Sequence, residues 1–211
     1  MTEGWALNKN MDPDRFFQWL LEEEEDKRGP KETVLVKKVC MLGEPAVGKT
    51  SLIRRFVYDV FDDKYIETIG AKVTKKTLRI RYVPTGQVFQ LRMMIWDIAG
   101  HGALDFVKPS YYRDGEGALI VCDMTRRLTL NKVPAWIDSL WTVTQRIPLI
   151  IIGNKNDLKS QHEFGPKELG EVSTSYQVPF ITSSAKNGEQ VENAFKSLGM
   201  ALIQTFIQAR K

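Results

Sequence analysis

The segment Gly43-Glu44-Pro45-Ala46-Val47-Gly48-Lys49-Thr50 fits the pattern G-x-x-x-x-G-K-[ST] without a mismatch. That pattern describes a loop that wraps a nucleotide's phosphates. Gly43 and Gly48 allow backbone angles that residues carrying a Cβ resist. The loop can then turn its N–H groups inward as an anion nest at the positive end of a helix dipole. Expected phosphate contacts run through Gly43, Ala46, Val47, Gly48, Lys49, Thr50 and Ser51. Lys49 meets the terminal phosphates as a point charge. The Thr50 hydroxyl is placed to bind Mg²⁺, which prefers oxygen ligands.

Four more polar segments follow in order. Phe61-Asp62-Asp63-Lys64-Tyr65-Ile66-Glu67-Thr68-Ile69-Gly70 lies between the first helix and the second strand. Trp96-Asp97-Ile98-Ala99-Gly100-His101 ends the third strand, Asn154-Lys155-Asn156-Asp157 ends the fifth, and Ser183-Ser184-Ala185-Lys186 follows the sixth. Each falls at the carboxyl end of a strand or in the adjacent loop, the edge where open α/β sheets bind ligands. Taken singly, each has a plain structural reading as a polar turn, a helix cap or an ordinary loop threonine. Their joint order supports a binding site.

The elements that must position these segments alternate along the chain. Val34–Leu42 reads as a buried strand ahead of the phosphate loop, and a helix begins at Ser51. Val73–Val83 and Val88–Trp96 are extended runs around Pro84-Thr85-Gly86-Gln87, and strands joined by so short a turn must be antiparallel. Gly117–Cys122, Ile147–Ile152 and Pro179–Ile181 are short and apolar, as parallel strands covered on both faces are. Helices fill the gaps at about 132–145, 166–175 and 189–209. Residues 34–211 therefore read as an α/β domain with crossover helices, and residues 1–33 as an extension ahead of it.

Composition fits this reading. The 211-residue chain has 43% hydrophobic and 27% charged residues and a net charge of +4, the profile of one soluble globular domain with an appendage. No dense Lys/Arg block argues for nucleic acid, and no apolar run approaches the roughly 18 residues of a membrane span. The first residues lack a signal-peptide pattern. Thr2 does not suit myristoylation and the final residues contain no cysteine to prenylate, so no direct lipid anchor is expected. Cys40 and Cys122 fall in strand-like runs, which suggests buried thiols and a reducing cytoplasm.

The five segments together resemble those of the Ras superfamily of small GTPases. The resemblance covers roughly residues 34–209, and the Thr-Ile-Gly and Trp-Asp-x-Ala-Gly forms look most like the Rab and Ran branches. It implies a P-loop G domain: a six-stranded, mostly parallel sheet with helices on both faces, binding GTP or GDP with Mg²⁺. It further implies that Asp157 accepts from the guanine N1–H and amine, with Asn154 and Lys155 bracing the base. Ala185 would offer its N–H to the guanine O6, supported by Ser184 and Lys186, and Phe61 would lie edge-on to the base. Thr68 would complete the metal shell, Asp97 would hold the metal through water, and the Gly100 N–H would bind the γ-phosphate. The rival class, a P-loop kinase, is opposed by Asn154-Lys155-Asn156-Asp157, because adenine offers no donor pair for that carboxylate.

The same resemblance implies a monomeric switch whose two loops are ordered by the γ-phosphate and read by effector, exchange-factor and activating proteins. The catalytic set would be Lys49, Thr68, Gly100 and His101. His101 stands where the family usually has the glutamine that orients the attacking water, so slow hydrolysis is expected. The alternatives are an imidazole that points to solvent, or a hydrolysis-deficient module that stays loaded with GTP. Pro45 removes one N–H from the loop, at a position that either faces the phosphates or does not. In the extension, Asp12-Pro13-Asp14 starts a predicted helix over about 13–27. Its apolar residues are Phe16, Phe17, Trp19, Leu20 and Leu21, followed by Glu22-Glu23-Glu24-Glu25-Asp26. This acidic helix is expected to pack on the chain's own core or on a partner, or to cover a switch surface.

Overall fold

The first strand, β1 (Thr33–Leu42), alternates between outward and inward residues in its first half and is wholly buried over Val39–Leu42. That change marks a strand whose far end is covered on both faces. The computed structural model to which it belongs describes residues 32–62, 68, 70–99 and 111–210. The expected helix at 13–27, Gly100 and His101 lie outside the described residues.

The chain continues through α1 (Lys49–Tyr58), β2 (Ala71–Tyr82), β3 (Gln87–Ile98), β4 (Gly117–Asp123), α2 (Arg127–Asn131) and α3 (Val133–Thr144). It ends with β5 (Leu149–Asn154), a 3₁₀ turn at Lys159–Gln161, α4 (Pro166–Tyr176), β6 (Phe180–Thr182) and α5 (Val191–Gln208). The sheet has six strands in the order β2-β3-β1-β4-β5-β6. β1 runs parallel to both neighbours, β3 and β4, and β4–β5 and β5–β6 are also parallel. Only β2 is antiparallel, paired with β3 from Ala71↔Ile98 to Tyr82↔Gln87. The hairpin between them turns through Thr85 N–H to Tyr82 O at 3.2 Å and Gly86 N–H to Val83 O at 3.2 Å. The expected mixed α/β sheet is the one observed.

Two apolar layers sandwich the sheet. On one face α1 and α5 pack through Leu52, Phe56, Phe195 and Leu198 onto Val39, Met41, Leu91 and Met93. Phe56 and Phe195 stack with ring centroids 4.0 Å apart and planes within 1°. On the other face α3 and α4 bring Trp136, Ile137, Leu140 and Leu169 onto Cys40, Ala118, Ile120 and Ile151. Cys40 and Cys122 are fully buried and free.

Local chemistry explains where the boundaries moved. β5 begins at Leu149, not Ile147, because Pro148 has no N–H to donate; its carbonyl still accepts from Ala118 at 3.0 Å. Likewise β6 begins after Pro179, whose carbonyl accepts from Ile151 at 3.0 Å. The helix expected at about 132–145 is preceded by a separate one, α2. Pro134 sits in the first turn of α3, where its missing N–H costs nothing, but it would break a helix running through from Arg127. Among the described residues no helix is long and apolar enough to cross a membrane.

β4 and β5 are buried throughout, yet they end on Asp123 and Asn154, which sit side by side in the register. β3 likewise delivers Asp97, which is paired with Lys72 on β2 and Met41 on β1. The sheet thus places its few buried polar side chains along one edge.

Candidate functional site

The phosphate loop leaves β1 at Leu42 and enters α1 at Lys49. Three of its residues adopt left-handed backbone angles: Gly43 (φ 133°), Ala46 (φ 60°) and Gly48 (φ 99°). Glycine is required at both ends for a second reason. A Cβ on Gly43 would sit 2.1 Å from the Val121 carbonyl, and one on Gly48 would sit 2.2 Å from Asn154 Nδ2. The loop is therefore drawn tightly onto β4 and onto the end of β5.

Lys49 is only 6% exposed. Its Nζ donates to the carbonyls of Gly43 at 2.7 Å and Glu44 at 2.9 Å, across the mouth of the loop. Burial pulls its pKa down to about 8, against the opposing attraction of Asp97 and Glu44. A cation held this way favours any anion that restores its charge.

Beside it, Thr50 Oγ1 donates to Asp97 Oδ2 at 2.5 Å and lies 3.0 Å from Thr68 Oγ1. Asp97 is 2% exposed, and burial pushes its carboxyl above the usual range despite the Thr50 and Lys49 contacts. Its other oxygen, Oδ1, has no hydrogen-bond partner among the described residues. Two hydroxyls and a buried carboxylate with an uncommitted oxygen form a hard-oxygen corner that suits Mg²⁺. The expected metal residues Thr50, Thr68 and Asp97 thus converge.

The third corner is held by Asn154, buried at the end of β5. Its Nδ2 donates to Val47 O at 2.8 Å, and its Oδ1 accepts from Ala185 N–H at 3.1 Å. One side chain thereby ties the phosphate loop to the loop after β6. Ser184 Oγ donates to Asp157 Oδ1 at 2.5 Å, which fixes that carboxylate from the same loop. Lys155 takes a left-handed φ of 66°, and its Nζ lies 2.7 Å from Asp123 Oδ2. Ser51 is half-buried in the first turn of α1, and Lys186 is exposed. Phe61 is half-buried against the α1–α5 layer. Gly100 and His101, both expected here, lie outside the described residues.

Three residues in the site had no part in the sequence reading. Asp123 is fully buried. Burial raises its pKa, but bonds from Lys155 and Thr125 overcome this and hold the carboxyl low. Arg126 donates from Nε to Asp123 Oδ2 at 2.9 Å and from Nη2 to the Pro45 carbonyl at 2.8 Å. Arg55 on α1 donates to the Ala185 and Lys186 carbonyls at 3.0 and 2.6 Å. An aspartate closing the wholly apolar run Gly117–Cys122 was the one available signal; the two arginines carry none.

Comparison with known proteins agrees with this geometry. The family model described as Ras family matches residues 38–204. Ras-related protein Rab-18 of Lymnaea stagnalis is 33% identical over 177 residues, spanning 83% of this chain and 84% of that protein. Ras-related protein RABA4b of Arabidopsis thaliana is 34% identical over 171 residues, 81% of this chain and 74% of that one. Ras and Rab proteins bind GTP and GDP with Mg²⁺, the ligands that the nest and the Thr50–Thr68–Asp97 corner suit. With the phosphate loop, the oxygen corner and the Asn154 clamp on one sheet edge, and with a match over most of its length, the chain belongs to the Ras family of small GTPases, with Rab proteins among its relatives.

Proposed function

We propose that the chain is a GTP/GDP switch whose own hydrolysis of GTP is slow. The observation that carries the switch is the oxygen corner: Thr68, just ahead of β2, and Asp97, at the end of β3, meet at the Thr50 hydroxyl. A metal–triphosphate held there would gather the loops before β2 and after β3 around one ligand. Loss of the γ-phosphate would release them.

In this reading Gly43, Ala46, Val47, Gly48, Lys49, Thr50 and Ser51 hold the phosphates, and Gly100 N–H meets the γ-phosphate. Asp157 accepts from the guanine N1–H and amine. Asn154 and Lys155 brace the base, supported by Ser184 and Lys186, and Phe61 flanks it. The Ala185 N–H already donates to Asn154 Oδ1 at 3.1 Å, so the guanine O6 would share that donor. Pro45 keeps its carbonyl for Arg126, which gives this position a structural use that needs no N–H. Effector, exchange-factor and activating proteins would read the two loops of a monomer in the cytoplasm.

Slow hydrolysis rests on His101. A neutral imidazole has one donor where the family's glutamine amide has two donors and a carbonyl, so it orients an attacking water poorly. Single-turnover hydrolysis of GTP by the native protein and by His101→Gln tests this. The glutamine variant is expected to be faster; equal rates overturn the reading. The nucleotide that copurifies separates the two states of the switch: bound GDP marks a competent hydrolase, and bound GTP a module that stays loaded.

A further inference from the structure

The β2–β3–β1 half of the sheet has one face filled by α1 and α5. Among the described residues, the second layer reaches its opposite face near the nucleotide site, through Cys40 and Trp96. Farther from the site, the register sets Val34 beside Gln90 and Val36 beside Arg92 on β3, with Arg79 and Thr77 next on β2. Val34 is 48% and Val36 56% exposed. Lys75 and Arg92 are exposed on the same face, so an apolar pair is rimmed by basic side chains. Val88, on the same face of β3, is buried yet belongs to neither core cluster.

The residue just ahead of β1 reaches across this face. Glu32 precedes the strand, and its Oε1 lies 2.7 Å from Arg79 Nε, two strands away. Upstream of it, residues 1–31 hold eight Asp/Glu against five Lys/Arg, five of the acids being consecutive, Glu22 to Asp26. Phe16 and Leu20, and Phe17 and Leu21, fall at i, i+4 spacing on one side of the predicted helix. A helix over 13–27 is about 22 Å long at 1.5 Å per residue. Arg28–Glu32 can span up to about 17 Å of extended chain, enough to lay that helix back across three strands spaced about 4.8 Å apart.

We infer that the open face around Val34, Val36, Lys75 and Arg92 is the docking surface for the chain's own N-terminal segment, residues 13–27. The apolar stripe seats on the two valines, and the acidic run meets the basic rim, continuing the Glu32–Arg79 pair. The strand pair beneath it is the one that carries Asp97 and leads from Thr68, so the docked segment lies on the hairpin of the nucleotide site.

The full-length chain tests this through paired cysteines joined by a short thiol cross-linker. The native thiols, Cys40 and Cys122, are fully buried. The pair Leu20→Cys with Val36→Cys is compared with Leu20→Cys with Ser175→Cys, an exposed position on α4. The expected result is cross-linking within one chain, at least about tenfold faster for the Val36 pair. Equal rates, no product, or a product joining two chains would overturn the assignment; the last would make a second copy the occupant. As an independent readout, Val36→Glu places a like charge in the docking row at an exposed position. Amide exchange over residues 13–27 should then accelerate by about tenfold; exchange identical to the native chain counts equally against the proposal.

Discussion

Lys49 brings a positive charge to a position that is only 6% exposed and whose nearest partners are two carbonyls. Burial lowers its pKa from 10.5 to about 8. The folded protein therefore binds this proton less tightly than the unfolded chain, and folding gains from rising pH between about 8 and 10.5. Phosphate binding has the opposite preference, because polyphosphate stabilises the ammonium. The Lys49 contribution to nucleotide affinity should thus be flat below pH 7 and weaken as pH rises through about 8. The loss between pH 7 and 8.5 is expected to be about fourfold in Kd, the drop in the protonated fraction. Equilibrium titration with GDP at several pH values checks it. An affinity unchanged over that range would mean that Lys49 stays fully charged without nucleotide.

The stacked Phe56–Phe195 pair joins α1, which begins at the phosphate loop, to α5, which closes the chain. Phe195 is fully buried. Truncation to alanine removes a ring from a packed layer, and Phe195→Ala should cost about 3–5 kcal/mol in denaturant unfolding. A loss below about 1 kcal/mol would show that the layer collapses onto the gap. The elements around this pair were readable in the chain because their apolar patterns are simple. α5 shows its stripe at Val191, Ala194, Phe195, Leu198 and Leu202, and β4 and β5 are uninterrupted apolar runs. The α2–α3 break was not read, because a proline in the first turn of a helix looks the same whether or not another helix precedes it. At the site, Lys49, Thr50 and Asn154 announced themselves by motif. Arg126 and Arg55 did not, since each reaches the site's loops through backbone carbonyls, and carbonyls leave no mark on residue identity. Ala185 was expected to offer its N–H to the guanine O6, and the fold also gives that donor a partner in Asn154.

Across the domain, the phosphate loop and the loop after β6 meet the end of β5 at Asn154, and β3 and the segment ahead of β2 meet α1 at Thr50. A bound nucleotide with Mg²⁺ would touch every one of these segments. The buried charges Lys49 and Asp97, whose pKa values burial shifts toward neutrality, would gain their natural counter-ions. The native state alone offers this site, so ligand present at a thousand times its Kd should stabilise folding by about 4 kcal/mol. For a domain of this size each kcal/mol moves Tm by about 2–4 °C. Stripping nucleotide with a chelator should therefore lower Tm by roughly 8–16 °C. Adding GDP with Mg²⁺ should restore it, whereas ATP with Mg²⁺ should not, because adenine leaves the Asp157 carboxylate unpaired. Differential scanning calorimetry on stripped and reloaded protein reads both effects. A Tm indifferent to GDP would sever the link between these buried charges and a nucleotide, and equal rescue by ATP would remove Asp157 from base selection.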